Sequence, residues 1–254
     1  MAQTGKKRTT MHLDDLVAQL KQAHGASLVG VVLYGSAASD AQVAGRSDLN
    51  VLVIVESLEM ATLRSLGQTA RAWQEAGNPP PLELTRREWL GSADVFPMEY
   101  ADILERHRVL AGTLPLDGLH VDIAHLRLQV EQEALGKLLR LRRATMMAGT
   151  DSARQRELLQ SSLSAMLVIF RSVLRLHGEA PPGDSAAVIA RAAARCGFDA
   201  EPFTRVERLR RGETIADADI ERVLAAYVGG AEVLVTYLDR YAPPSGSPEA
   251  TSHS

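Results

Sequence analysis

Near the start of the chain Gly35-Ser36 is followed, twelve residues after Ser36, by the run Asp48-Leu49-Asn50. Side chains alternate between the faces of a strand, so Asp48 and Asn50 project to one side while Leu49 and Val51 project to the other. Gly35 permits a tight bend with backbone N–H groups turned toward an anion, and Ser36 adds a hydroxyl. Ala37-Ala38 then suits the first turn of a short helix whose N-terminus favours negative charge. A carboxylate and an amide oxygen beside such a turn could hold a hard divalent cation against phosphate. Glu83 alternates with Leu82 and Leu84, as a residue facing a cleft does. Glu99 and Asp102 are its rivals, although a spacing of three would put them on opposite faces if their segment is a strand.

The surrounding elements must position these groups. Residues 28–34 and 51–55 are apolar runs rich in β-branched side chains, each the length of a buried strand. A helix is expected over residues 11–24, with Thr10 as its cap, Asp14 and Asp15 in its first turn and Gly25 as its stop. Residues 58–76 read as one helix, ended by Gly77-Asn78 and three prolines, and residues 82–84 as a short strand. Thr85-x-x-Glu88 has the capping-box pattern of a short helix through Leu90. Residues 97–103 suit either a strand or a helix start.

An apolar strand, Gly-Ser, a spacer and then an aspartate strand resemble the nucleotidyltransferase superfamily of polymerase-β-like enzymes. The resemblance implies that Gly35 and Ser36 bind nucleotide phosphates and that Asp48 and the residue two further on hold magnesium. It implies a third carboxylate one or two strands later, assigned to Glu83 as metal ligand or general base. The activity implied is transfer of a nucleoside monophosphate from a Mg-nucleoside triphosphate, ATP among them, to an acceptor hydroxyl. This chain departs from the pattern by placing Asn50 where the family keeps its second metal-binding carboxylate. A charge about 4 Å from a divalent ion gives roughly 8 kcal/mol of gross attraction at an effective dielectric of ~20, most of it offset by desolvation. If a fifth survives, losing it weakens metal binding more than about tenfold. Asparagine still offers a carbonyl oxygen, so a single Mg2+ with reduced activity is expected.

From His120 the pattern changes to long helices, expected over residues 121–148, 152–177, 185–196, 202–211 and 217–241. The fold class is therefore α+β: a mixed-sheet nucleotidyltransferase domain with flanking helices at 11–118, then an all-α helical bundle at 119–242. Residues 1–10 and 243–254 read as disordered tails. Lys137, Arg140, Arg142 and Arg143 could face a triphosphate, with Lys137 the nucleotide-binding candidate, or form a solvated helix face. Val223, Tyr227, Leu234 and Leu238 form a stripe that either packs in the bundle or docks a helical partner.

Composition narrows the function classes. The chain has 254 residues, 46% of them hydrophobic, and a formal net charge of -3, which gives no overall attraction to nucleic acid or an anionic membrane. The single cysteine, Cys196, allows no intrachain disulfide and suits a cytoplasmic setting and a buried structural role. No run is expected to span a membrane, and the histidines lack metal-ligand spacing. The expected partners are a nucleotide and a small-molecule or protein acceptor. The alternative is a catalytically inactive nucleotide-binding or partner-binding regulatory module of the same fold, which Asn50 favours.

Overall fold

The structure, a computed structural model, describes residues 11–38 and 49–242. Asp48, Thr10 and both expected tails lie outside the described residues. Contacts divide the chain into two units that meet between Val121 and Asp122.

In the first unit, β1 (Leu28–Tyr34) and β2 (Asn50–Val55) pair antiparallel, β3 (Leu82–Thr85) runs parallel to β2, and β4 (His107–Gly112) pairs antiparallel with β1. The result is a four-stranded mixed sheet in the order β3-β2-β1-β4. The central strands are buried on both faces, which is why they read as continuous apolar runs. One face packs Val31, Leu33, Val51, Val53 and Val55 against α1 (Leu13–His24) and Trp73. The other packs Val32, Leu52 and Ile54 against Trp89, Tyr100 and Ile103.

The expected helix over 58–76 is divided into α2 (Met60–Ser65) and α3 (Gly67–Glu75). The division falls at Leu66, whose ψ of -5° leaves the α range just before Gly67. The capping box at Thr85 is present: Glu88 N–H donates to Thr85 Oγ1 at 3.2 Å, and Thr85 N–H donates to Glu88 Oε2 at 2.7 Å. It starts α4 (Arg86–Gly91) and supports it by roughly 1 kcal/mol. Residues 97–105 form a helix, α5 (Pro97–Glu105), with Pro97 in the first turn, where its missing N–H costs nothing. Trp89 and Tyr100 stack at 4.4 Å, and Tyr100 Oη–H donates to the Trp89 carbonyl at 2.7 Å, fixing α5 against α4.

The second unit contains α6 (Ile123–Ala148), α7 (Ser152–Leu176), α8 (Ser185–Cys196), α9 (Glu201–Arg210) and α10 (Asp217–Arg240). Asp122, Asp151 and Asp184 cap α6, α7 and α8 by accepting N–H bonds from the first turn. Val223, Tyr227, Leu234 and Leu238 are all buried, so this stripe of α10 is bundle core. Against expectation, α7 is long and apolar enough to cross a membrane by length and composition. Its most apolar window is 50% buried inside the structure, with Leu163, Phe170 and Val173 fully enclosed. Cys196 is buried and its thiol is pushed up to about 12 by desolvation, which leaves it unreactive near neutral pH.

Candidate active site

Strand β1 ends at Tyr34, which pairs with Asn50 on β2 and with His107 on β4. The chain then enters a 3-10 turn, Gly35–Ala38, through Gly35 at φ +77°. A side chain is strained at that φ, which is the physical reason for glycine there. Gly35 N–H donates to the Arg106 carbonyl at 3.2 Å, so the turn is tied to the end of α5.

Two polar side chains converge on this turn. A Cβ placed on Gly35 would stand 3.5 Å from Asp102 Oδ2 and 3.6 Å from Asn50 Nδ2. The other Asp102 oxygen, Oδ1, accepts from Arg106 Nη2 at 2.5 Å, a helical i,i+4 ion pair whose side chains are 28% and 15% exposed. Arg106 Nε is buried with no hydrogen-bond partner among the described residues. Burial, and then the charges of Glu99 and Asp102, raise the Tyr34 pKa, so its phenol stays protonated as a donor beside those carboxylates. Glu99 and Asp102 act together because their segment is helical. A spacing of three places them on one face of a helix, where a strand would have separated them.

Glu83 is not brought to the turn. It lies opposite Val53 in the parallel register, and Val53 faces the α1 side of the sheet. Asn50 shares its parity with Leu52 and Ile54, which face the α5 side. The sheet and roughly 10 Å of strand therefore stand between Glu83 and Asn50. The partner of Glu83 is His24, at 3.4 Å between Oε2 and Nε2, and neither atom makes a hydrogen bond among the described residues. Desolvation raises the Glu83 pKa, with His24 acting in the opposite direction. The carboxylate beside Gly35 and Asn50 is Asp102, one of the rivals to Glu83.

Ser36 belongs to the turn, while Asp48 lies outside the described residues. Lys137 is in the second unit, with its ammonium 3.9 Å from Glu133 Oε2 on the same helix. Among the described residues no group of three or more His, Cys, Asp or Glu is arranged to hold a metal ion. Among the described residues the groups beside Gly35 are one amide and one carboxylate already paired with Arg106, a set that does not by itself fit a divalent cation.

No family model matches the sequence, and no curated protein matches it. Among solved structures, the spectinomycin adenyltransferase AAD(9) from Enterococcus faecialis, crystallised with ATP and spectinomycin, matches with a TM-score of 0.57 and 13% identity. The match covers 90% of this chain and 100% of that one. The chain has the nucleotidyltransferase fold. That fold places a mixed sheet with flanking helices before a helical region, and the Gly35–Ala38 turn lies at the end of its central strand.

Proposed function

We propose that this protein transfers a nucleoside monophosphate from a nucleoside triphosphate to a hydroxyl of a small molecule. The observation that carries this function is the convergence of Gly35, Asn50 and Asp102 at the end of β1. In the reaction, the acceptor oxygen attacks the α-phosphorus and a new P–O bond forms. The bond to the β-phosphate oxygen breaks, pyrophosphate leaves, and the acceptor proton passes to the Asp102 carboxylate. Tyr34 Oη–H and Arg106 Nε–H, which has no partner among the described residues, are donors for phosphate oxygens.

Ser36, Asp48 and Lys137 enter as candidates from the sequence, the first two for the outer phosphates and magnesium, the third for the nucleotide. A small-molecule acceptor is favoured over a protein side chain because the structural neighbour was solved with spectinomycin. A cytoplasmic setting supplies the triphosphate. Activity below that of a full carboxylate set follows from Asn50 and from the ion pair that occupies Asp102.

The test combines calorimetry and turnover. Non-hydrolysable triphosphate analogues of each base are titrated with and without magnesium, and pyrophosphate release is then followed with a panel of hydroxylated small molecules. Binding together with acceptor-dependent release supports the transferase. Absence of binding by every analogue overturns it. Binding without release from any acceptor supports instead a regulatory nucleotide-binding module, which the amide at Asn50 and the Asp102–Arg106 pair favour.

A further inference from the structure

On the α1 face of the sheet, away from Gly35, lies a cavity of about 330 Å³. Its walls are largely leucine, including Leu16 and Leu20 of α1, Leu63 of α2 and Leu66 just beyond it. A volume of that order is within the range of small-molecule sites, which are mostly apolar with a few placed polar groups.

The polar groups here are Glu83 and Thr69. The Glu83 side chain is only 11% exposed, and its Oε2 has no hydrogen-bond donor among the described residues. His24 is near, yet its alignment falls short of a hydrogen bond. Pro80 and Pro81, which form the adjoining wall, have no N–H to offer. Thr69 spends its hydroxyl proton on Gln19 Oε1, which leaves its oxygen as an acceptor. The cavity therefore presents acceptors and a largely buried carboxyl group within mostly apolar walls. A largely buried carboxyl whose one neighbouring donor, His24 at 3.4 Å, is poorly aligned is costly, and a ligand that brings well-aligned N–H donors and a positive charge relieves that cost.

We propose that this cavity binds a small apolar molecule carrying one ammonium group, with Glu83 as the counter-ion and the leucine walls enclosing the hydrocarbon. The site is separate from the phosphate turn, since Glu83 and Asn50 face opposite sides of the sheet. Its occupant is thus distinct from the nucleotide, and its test does not depend on transferase activity.

The full-length protein is titrated with cyclohexylmethylamine and with the neutral cyclohexylmethanol, read by calorimetry and saturation-transfer NMR. The amine is expected to bind at least about tenfold more tightly than the alcohol, as a charge-assisted hydrogen bond would give. Glu83→Gln should remove that preference, and Leu63→Trp, which fills the cavity from α2, should abolish binding of both probes. Thermal melts report whether each variant is folded, and Leu63→Trp carries the test if Glu83→Gln is not. Equal binding of amine and alcohol, no binding of the amine, or amine binding that survives Leu63→Trp would each overturn the proposal. Nucleotide titration of the same variants should be unchanged, which separates this site from the turn.

Discussion

Asp102→Asn retains the shape of the side chain and removes its charge, leaving Arg106 without its ion partner. At about 3 Å and an effective dielectric of ~20 the gross attraction is roughly 5 kcal/mol. Both groups keep some exposure to water, so the expected net loss is about 1–3 kcal/mol, or a fall of roughly 3–10 °C in Tm. If Asp102 takes the acceptor proton, pyrophosphate release should fall about a hundredfold or more, with nucleotide affinity little changed. Stability and chemistry are separated by Asp102→Asn combined with Arg106→Gln. The double variant no longer carries an unpaired guanidinium, while the Arg106 carbonyl that receives Gly35 N–H is still present. Its melting temperature should recover most of the loss, while its turnover should stay about a hundredfold below that of Arg106→Gln alone, the control for the lost phosphate donor. Normal turnover in the double variant would refute a base at Asp102. So would Glu83→Gln if it slowed release as severely as Asp102→Asn, because the geometry assigns Glu83 to the other face.

Gly112→Ala should destabilise the first unit by about 1–3 kcal/mol more than Gly118→Ala in urea titrations. Both glycines have positive φ, but a Cβ at Gly112 would stand 2.0 Å from the Val29 carbonyl oxygen whereas Gly118 faces open space; equal costs would show that the β1–β4 contact is looser than described. The Glu83 pKa lies above its ordinary value of 4.5, so its contribution to stability is full below that value and is lost as pH rises through the folded-state pKa. Wild type should therefore lose stability relative to Glu83→Gln as pH rises above 4.5 in thermal melts; a parallel pair of profiles would mean that the carboxyl is not buried as described. Asn50→Asp restores a carboxylate beside Gly35 and should tighten magnesium-dependent nucleotide binding more than about tenfold by calorimetry. No gain would mean that the turn does not use magnesium.

Much of this arrangement was legible in the residues. The strands at 28–34 and 51–55 carry unbroken apolar runs because both of their faces are covered, and the capping box at Thr85 is specified locally. The position of Glu83 was not legible. Alternation with Leu82 and Leu84 establishes that it faces the opposite way from them, but only the register with β2 decides which face of the sheet that is. Asp102 was hidden by an ambiguity of period. The segment from Pro97 suits either a strand or a helix, and the choice changes whether Glu99 and Asp102 act together. Proline in the first turn and the Asp102–Arg106 spacing of four were the signals for a helix. The division at Leu66 is a local one, since Leu66 N–H still donates to the Thr62 carbonyl and Ala70 N–H to the Leu66 carbonyl, and a hydrophobic period cannot show so small a change.

Strand β2 sends Asn50 toward α5 and, one residue later, Val51 toward α1. Its apolar residues, buried on both faces, form a dry layer between a polar turn on one side and the His24–Glu83 pair on the other. Hydrocarbon screens charge less than water does, so a charge on one side is felt through the strand even though no ligand can pass. The two faces are thus separate in space but coupled in charge: a substitution that adds or removes a charge beside Gly35 is expected to move the Glu83 pKa on the far side of the sheet.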